Sequence, residues 1–195
     1  MYPDIIIPTC KPDVNAQIDE IKRFTPEINV IATCEDTSAA RNRNLGLSYA
    51  KSDLVIMMDD DITGFYKGWI DDLMNFWDDS FAIMSVRLLE PNGKLGYMLS
   101  ENDKMTKGAI VIEKREVPTA CIVFRHDGTT FDPQYIGSGF EDNDFCLQLQ
   151  QKYPERLFVV NNECRLIHIN EKKNQGGRYW NHNKLYFNSK WGKTR

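Results

Sequence analysis

The sequence predicts an α/β protein: a doubly wound, mostly parallel sheet flanked by helices in a single compact domain. Two observations carry this prediction. Short apolar runs rich in β-branched residues are continuous rather than alternating, which is typical of strands buried on both faces. Segments with helical periodicity alternate with these runs, an order that favours parallel strands joined by right-handed crossovers. The 195 residues, 42% of them hydrophobic and 27% charged, suffice for one globular domain.

The first half of the chain supplies this regular order. The pattern predicts strands at residues 4–7, 28–32 and 54–58, and helices at residues 14–24 and 39–51. Pro8 ends the first strand, and Pro26 follows the first helix. The second helix has N-cap side chains available from Asp36, Thr37 and Ser38. We therefore expect three neighbouring parallel strands.

The second half is less regular. A helix is predicted after Gly68, with one apolar face formed by Trp69, Leu73, Phe76 and Trp77. Further strands are predicted at residues 81–89, 120–124, 157–160 and 165–169, and a helix at residues 141–152. From residue 171 the composition becomes polar, basic and aromatic. We expect a domain over residues 1–170 and a tail over residues 171–195, hinged at Gly176 and Gly177.

Charge is distributed unevenly between these two parts. Residues 1–170 carry 17 Lys and Arg against 27 Asp and Glu, whereas residues 171–195 carry seven Lys and Arg against one Glu. So acidic a body excludes a broad basic face for nucleic acid, although the tail alone could contact phosphate.

The sequence predicts no membrane span and no secretory signal. No apolar run approaches the roughly 20 residues that cross a bilayer, and no basic segment precedes an apolar one at the start of the chain. The five cysteines are odd in number, scattered and never in a CxxC pair. This usage argues against a disulfide framework or a zinc site and for a reducing compartment, so we expect a cytoplasmic protein.

Three consecutive carboxylates follow the third predicted strand. Asp59, Asp60 and Asp61 lie at its carboxyl end, the edge of an open α/β sheet where ligands bind. Neighbouring carboxylates repel one another, and a hard cation such as Mg²⁺ or Mn²⁺ removes that cost while leaving positions for phosphate oxygens. The alternative is a solvated acidic loop, but the position after a strand favours a metal site.

Carboxylates also open the helix predicted at residues 141–152. Glu141, Asp142 and Asp144 follow the glycine-rich segment 137–140. They suit the positive end of a helix dipole, and one of them could equally act as a general base on a rigid helix start. Taken alone, the segment leaves both interpretations open.

One histidine and two arginines complete the candidates. His168 ends an apolar strand, where histidine is commonly a core residue but is also a good manganese ligand. Arg41 and Arg43 lie in the first turns of the helix after Asp36. They could pair with phosphate, with the three aspartates, or in ordinary ion pairs.

Five segments spanning nearly the whole chain also form a recognisable series. They are residues 5–10, residues 38–46, residues 57–61 with 68–70, residues 131–132 with 139–144, and residues 186–192. In this order they resemble the GT-A glycosyltransferases, specifically family 2 of inverting, nucleotide-sugar-dependent enzymes. The resemblance implies a GT-A fold, a nucleoside-diphosphate-sugar donor and Mn²⁺ or Mg²⁺ as the cofactor.

The resemblance implies a nucleotide site. Asp36 matches the acidic residue that contacts the base, usually uracil, which makes a UDP-sugar the expected donor. The family more often has two aspartates and a glycine where this chain has Glu35, Asp36 and Thr37. Arg41 matches a position near the ribose or diphosphate. The nucleotide-binding residues so implied are Pro8, Thr9, Cys10, Asp36, Arg41, Asp59 and Asp60.

Metal and catalytic positions are implied in the same way. Asp59 and Asp61 are similar to the DxD pair, with Asp61 the stronger candidate for direct metal contact and Asp59 for metal or ribose. His168 lies where many GT-A enzymes place a third metal ligand. Asp142, with Glu141 beside it, matches the motif whose carboxylate takes the proton from the acceptor.

The basic tail has two interpretations. It could fold over the diphosphate as a lid in which Arg178, Lys184 or Lys190 meets phosphate, or it could be a solubilising extension. Stacking on a sugar is open to Trp69, Trp77, Tyr97 and Tyr135, although the two tryptophans also suit the core side of their helix.

Other functions stay open at this stage. A metal-dependent nucleotidyltransferase would need a glycine-rich phosphate loop after the first strand, which residues 8–12 lack. A catalytically silent nucleotide-sugar-binding protein would not call for a base. The acceptor could be a glycan, protein, lipid or small molecule, and the acidic body disfavours a modified DNA base.

Overall fold

Eight strands and five helices follow one another in the computed structural model, which describes residues 2–9, 11, 14–35, 37–96, 108–112, 116–169 and 178–192. The strands are β1 (Asp4–Pro8), β2 (Val30–Thr33), β3 (Leu54–Met58), β4 (Ile62–Thr63), β5 (Phe81–Leu89), β6 (Ala109–Val111), β7 (Cys121–Arg125) and β8 (Leu157–His168). The helices are α1 (Asn15–Phe24), α2 (Ala39–Tyr49), α3 (Trp69–Met74), α4 (Glu141–Lys152) and α5 (Trp180–Trp191).

The strands form one mixed sheet in the order β2-β1-β3-β7-β5-β8-β4, with β6 also paired to β8. β1 is parallel to β2 and β3, and β5 is parallel to β8, whereas β7 runs antiparallel between β3 and β5. The predicted α/β class is confirmed. These directions bring the carboxyl ends of β1, β3 and β8 to the same edge of the sheet.

Both faces of the sheet are covered by apolar layers. In β1, Ile6 packs in the cluster that contains Phe145, while Ile5 and Ile7 pack in the cluster that contains Trp69. All three isoleucines are fully buried. Burying side chains of this kind contributes about 1.5–3 kcal/mol each, which explains why the run is apolar throughout.

Helix α2 lies directly on β1 because Gly46 lacks a side chain. A Cβ atom at Gly46 would lie 2.2 Å from Cγ2 of Ile6, so a larger residue would require either Ile6 or the helix to move. Ser38 caps α2 by accepting from the Arg41 N–H, and its hydroxyl donates to the Tyr135 carbonyl at 2.6 Å. The start of α2 is therefore fixed against the loop that precedes α4.

Two predicted elements differ in extent from the structure, and β4, β6 and α5 were not predicted. Helix α3 ends at Met74, and Trp77 lies beyond it with its ring edge-on to Phe81 at 6.2 Å. The two strands predicted at residues 157–160 and 165–169 are one strand, β8, because a shift in the β5–β8 register absorbs its polar middle. There Asn162 accepts a hydrogen bond of 2.6 Å from the side chain of Arg87.

Helix α5 packs on the body of the protein. Asn183 and Phe187 are fully buried, and the Phe187 ring lies 5.3 Å from that of Phe140. Residues 171–177, with the predicted hinge, and residues 193–195 lie outside the described residues. Among the described helices, none combines the length and the apolarity that crossing a bilayer requires.

Candidate active site

The carboxyl ends of β3 and β8 bring two aspartates and a histidine together. Strand β4 pairs with β8 so that Ile62 lies opposite His168, and the Ile169 N–H donates to the Asp61 carbonyl at 3.0 Å. This pairing places Nε2 of His168 3.0 Å from Oδ1 of Asp61. Ligand atoms of Asp59, Asp61 and His168 all lie within 4.8 Å of one another.

The donor atoms of this cluster suit a divalent cation. Burial raises the pKa of Asp59 to about 6; Arg43 opposes this shift and the charge of Asp61 reinforces it. Burial lowers the pKa of His168, but the hydrogen bond and charge of Asp61 outweigh it, so the net shift is upward. A cation among these groups would offset the repulsion between the carboxylates, and two carboxylate oxygens with one imidazole nitrogen form a set that Mn²⁺ accepts.

Asp60 turns to the loop after β1 instead of joining this cluster. The Thr9 hydroxyl donates to Oδ2 of Asp60 at 2.6 Å, and Nζ of Lys11 lies 3.5 Å from Oδ1. The structure thus brings Asp60 and Thr9 together, beside a cavity that Pro8 also lines. Cys10 and Asp36, which were also predicted to bind the nucleotide, lie outside the described residues.

Two open cavities meet beside the cluster. The first, of about 410 Å³, lies between the end of β1, the start of α2 and residues 59–61. The second, of about 500 Å³, lies between residues 116–120, the start of α4 and the start of α5. Four residues line both cavities: Arg43, Asp59, Ser138 and Glu141. Molecules bound in the two cavities would therefore meet across these four residues.

A buried arginine connects the two cavities. Nη1 of Arg43 lies 2.8 Å from Oε1 of Glu141, and Nη2 lies 3.4 Å from Oδ1 of Asp59. Burial lowers the pKa of Arg43, but the carboxylates around it raise the pKa by more than burial lowers it. The net shift is upward, so the guanidinium stays charged. Burial raises the pKa of Glu141, and Arg43 opposes this. Glu141 also accepts from the Gly139 N–H, so its carboxylate holds Arg43 and the loop before α4.

The loop before α4 is unusual in its backbone. Phe140 has φ = 70°, and among the described residues it is the only non-glycine with positive φ. Such conformations cost of order 1–3 kcal/mol and persist where the surroundings impose them. Here the carboxamide of Asn183 holds the loop that contains Phe140. Its Nδ2 donates to the carbonyls of Ile136 at 2.9 Å and Gly139 at 3.0 Å, and its Oδ1 accepts from the Ile136 N–H at 3.2 Å.

The remaining carboxylates at the start of α4 differ in their surroundings. Asp142 is half-buried on the wall of the second cavity, where it accepts from the Thr119 hydroxyl at 2.9 Å. Asp144 is fully buried and accepts from the Tyr135 hydroxyl at 3.1 Å and from Nε1 of Trp191 at 2.7 Å. Asp144 therefore holds α4, α5 and the preceding loop together.

Three basic residues predicted to meet phosphate are not among the described residues that line either cavity. Nε of Arg41 donates to a backbone carbonyl at 3.3 Å on the exposed side of α2. The guanidinium of Arg178 lies over the Tyr179 ring, 5.6 Å from its centre. Lys190 pairs with Asp132 at 2.6 Å and Asp144 at 2.8 Å, which neutralise its charge. The structure does not bring these residues to the aspartate cluster.

Other residues lie at the site instead. Arg43 lies in the same turns of α2 as Arg41, and its spacing from Ala40 and Leu47 marks it as the arginine on the buried helix face. Asn183 carries no local signal of its role. Of the aromatics considered for sugar stacking, Trp69 and Tyr135 are fully buried, Trp77 is half-buried and Tyr97 lies outside the described residues. Trp180, which was not among the aromatics predicted to stack on a sugar, lines the second cavity.

Two solved structures share the fold of this chain. The chain aligns with residues 1–349 of TarS from S. aureus at a TM-score of 0.59 and 15% identity, covering 87% of this chain and 60% of that one. It aligns with GalNAc-T7, solved with UDP, GalNAc and Mn²⁺, at a TM-score of 0.63 and 14% identity, covering 96% of this chain and 41% of that one. The chain thus spans less than two thirds of either neighbour, and the shared fold is the GT-A glycosyltransferase fold.

The sequence match is more specific than the fold. The family described as "Glycosyl transferase family 2" matches residues 11–130, which is more than half of the chain. No curated protein sequence is significantly similar to this chain. The chain belongs to glycosyl transferase family 2, as the order of its motifs predicted.

Proposed function

We propose that this chain transfers a sugar from a nucleoside-diphosphate sugar, with UDP the expected nucleotide, to an acceptor hydroxyl, with inversion and with Mn²⁺ or Mg²⁺ bound. One observation carries the proposal: the cluster of Asp59, Asp61 and His168 lies where two cavities meet, and Asp142 lines the second of them. Membership of a glycosyltransferase family supports the same reaction class.

The first cavity would receive the nucleotide part of the donor. It is lined by Pro8 and Asp60 on one side and by Ser38 and Asn42 at the start of α2 on the other. Asp59, Asp61 and His168 would hold the cation beside the diphosphate. When bound, the cation would neutralise the negative charge that develops on the departing nucleoside diphosphate.

Asp142 would act as the base in the second cavity. Its carboxylate takes the proton of the acceptor hydroxyl while that oxygen forms the new bond to the anomeric carbon. The bond from that carbon to the diphosphate oxygen breaks, and its electron pair leaves with the nucleotide. A single displacement from the opposite face inverts the anomeric configuration, and a base in this position contributes about 10²–10⁴-fold.

Arg43 would act by positioning the groups on either side of it. It holds Glu141 at the start of α4 and Asp59 at the end of β3 in one buried arrangement. This arrangement fixes the distance between the base on α4 and the metal ligands on the sheet. Precise positioning of this kind is worth several kcal/mol in enzymes generally.

The proposal is tested by product analysis with the purified chain. Incubation with Mn²⁺ and a panel of UDP-sugars and GDP-sugars should release the free nucleoside diphosphate. Without an acceptor, the release should be slow, because the sugar is then transferred only to water. EDTA should abolish the release. Release of pyrophosphate or a nucleoside monophosphate would instead indicate phosphoryl or nucleotidyl transfer. Binding of nucleotide sugars without any release would indicate a silent binding protein, and either result would overturn the proposal.

A further inference from the structure

The second cavity carries an exposed tryptophan for which the proposed reaction gives no role. Trp180 is the first residue of α5 and is 43% exposed, whereas Trp69 is fully buried. Its side chain lines the cavity together with Asp142 and Asn143. A large aromatic left open beside a base is positioned to contact the molecule that the base deprotonates.

The indole of Trp180 is seated on a glycine. A Cβ atom at Gly139 would lie 2.7 Å from Cε3 of Trp180, so only glycine allows the ring to lie this close to the loop. The Phe140 ring lies 4.7 Å from the indole at an angle of 49°. The buried Asn183, three residues further along α5, holds the same loop through the carbonyl of Gly139. One side of the indole is thus fixed by packing.

The polar groups of this cavity favour a neutral, hydroxyl-rich ligand. Glu116, Asp142 and Glu141 contribute carboxylates to its wall, and carboxylates accept hydrogen bonds from hydroxyl groups. Arg43 is the only cationic side chain among the described residues that line it, and it is already paired with Glu141. A phosphorylated lipid or a nucleic acid would therefore bring anionic charge to an acidic wall.

We propose that the second cavity binds a neutral saccharide acceptor, with one pyranose ring stacked on Trp180 and a hydroxyl of that ring presented to Asp142. The apolar face of a pyranose lies flat on an indole, while its equatorial hydroxyls reach the carboxylates around the ring. Trp180 is then a specificity-determining residue that selects glycans or glycosides as acceptors. This inference rests on the proposed transferase function.

The test compares acceptors and three variants. The probes are methyl glycosides and disaccharides of glucose, galactose, N-acetylglucosamine and N-acetylgalactosamine, a short polyprenyl phosphate, and an oligonucleotide containing hydroxymethylcytosine. Trp180→Ala should raise the KM for the saccharide acceptor at least about fivefold. Trp180→Phe, which keeps an aromatic ring, should have a KM close to that of the unmodified chain. Leu185→Ala, a change at a 71% exposed position on the same helix, is the matched control and should behave as the unmodified chain.

A separate measurement distinguishes failure of this inference from failure of the proposed function. Release of UDP by the unmodified chain without acceptor reports donor chemistry alone, and Leu185→Ala should leave it unchanged. Binding of a methyl glycoside should change the intrinsic tryptophan fluorescence, and the change should vanish in Trp180→Phe. If UDP release persists while saccharides neither bind nor accept, or while polyprenyl phosphate or the oligonucleotide is the better acceptor, the inference is overturned and the proposed function stands.

Discussion

Arg43 and Glu141 lie 2.8 Å apart, 98 residues apart in the sequence, and both are almost fully buried. Their ion pair joins the helix after β2 to the helix that carries the proposed base. Charges buried in this way are stable only as a pair, because each alone loses its hydration without compensation. The pair therefore ties the stability of the fold to the geometry of the site.

Removing one partner of this pair should destabilise the protein. Arg43→Met leaves Glu141 buried without a cation, and we expect a loss of about 3–5 kcal/mol in the free energy of unfolding, measured by urea denaturation. Arg41→Met, two residues away and exposed, should change it by no more than about 0.5 kcal/mol. The double variant Arg43→Met, Glu141→Leu should recover part of the loss. Equal effects of the two arginine changes would contradict the structural role.

Replacing the proposed base should separate binding from catalysis. Asp142→Asn keeps the shape of the side chain but cannot take a proton, so transfer should fall about 10²–10⁴-fold. The dissociation constant for UDP with Mn²⁺, measured by calorimetry, should not change, because Asp142 lines the second cavity and not the first. Asp71→Asn, at an exposed position of α3, makes the same chemical change away from the site. Full residual transfer in Asp142→Asn would exclude this residue as the base.

Removing a proposed metal ligand should abolish the stabilisation that Mn²⁺ gives with nucleotide. A ligand present at 100 times its dissociation constant stabilises a protein by about 2.7 kcal/mol. Asp61→Ala should lose this gain in a thermal-shift measurement with Mn²⁺ and UDP together. Asp53→Ala serves as control because Asp53 is exposed at the opposite end of β3. An unchanged shift in Asp61→Ala would rule out Asp61 as a metal ligand.

Asp4 should make stability depend on pH at the acidic end. Burial raises the pKa of Asp4, but the hydrogen bonds from the Lys51 and Ser52 N–H groups and from Asn29 outweigh it, so the net shift is downward. Because the folded pKa is the lower one, the stabilisation is present above the unfolded value of roughly 3.9 and is lost as the pH falls through the folded value.

We therefore expect Asp4→Asn to lower the free energy of unfolding by about 1.5–3 kcal/mol at pH 7. The difference should shrink as the pH is lowered below about 4. Asp53→Asn, an exposed change close to the same turn, should show neither effect. A difference between Asp4→Asn and the unmodified chain that stays constant from pH 7 to pH 3 would disprove the assignment.

Asn183 should matter for activity as well as for stability. Asn183→Ala removes the hydrogen bonds that the buried Asn183 makes to Ile136 and Gly139 in a partly exposed loop, each worth about 0.5–1.5 kcal/mol. Because that loop leads into α4, transfer should fall more than the binding of UDP. Asn181→Ala, two residues earlier and exposed, is the control. Identical transfer rates in both variants would show that the anchor has no influence on the site.

The sequence predicted the parts of this protein whose signals are local. Strand β3 and helix α4 have the predicted limits, since the apolar run of β3 is buried on both faces and the acidic residues of α4 mark its first turn. The end of α3 and the continuity of β8 were predicted wrongly. Both depend on partners across the sheet: Trp77 packs on Phe81, and the shifted register with β5 carries β8 through its polar middle.

By itself, the sequence determined the class of fold, the family and the edge of the sheet where Asp59 and Asp61 lie, because strand order and strand ends follow from local patterns. Only the tertiary structure decided which carboxylates Arg43 pairs with, where Lys190 finds its partners and what Trp180 rests on. The contact between Asn183 and Gly139 joins residues 44 positions apart. Local periodicity carries no information about such contacts, because they depend on where α5 packs after the sheet has formed.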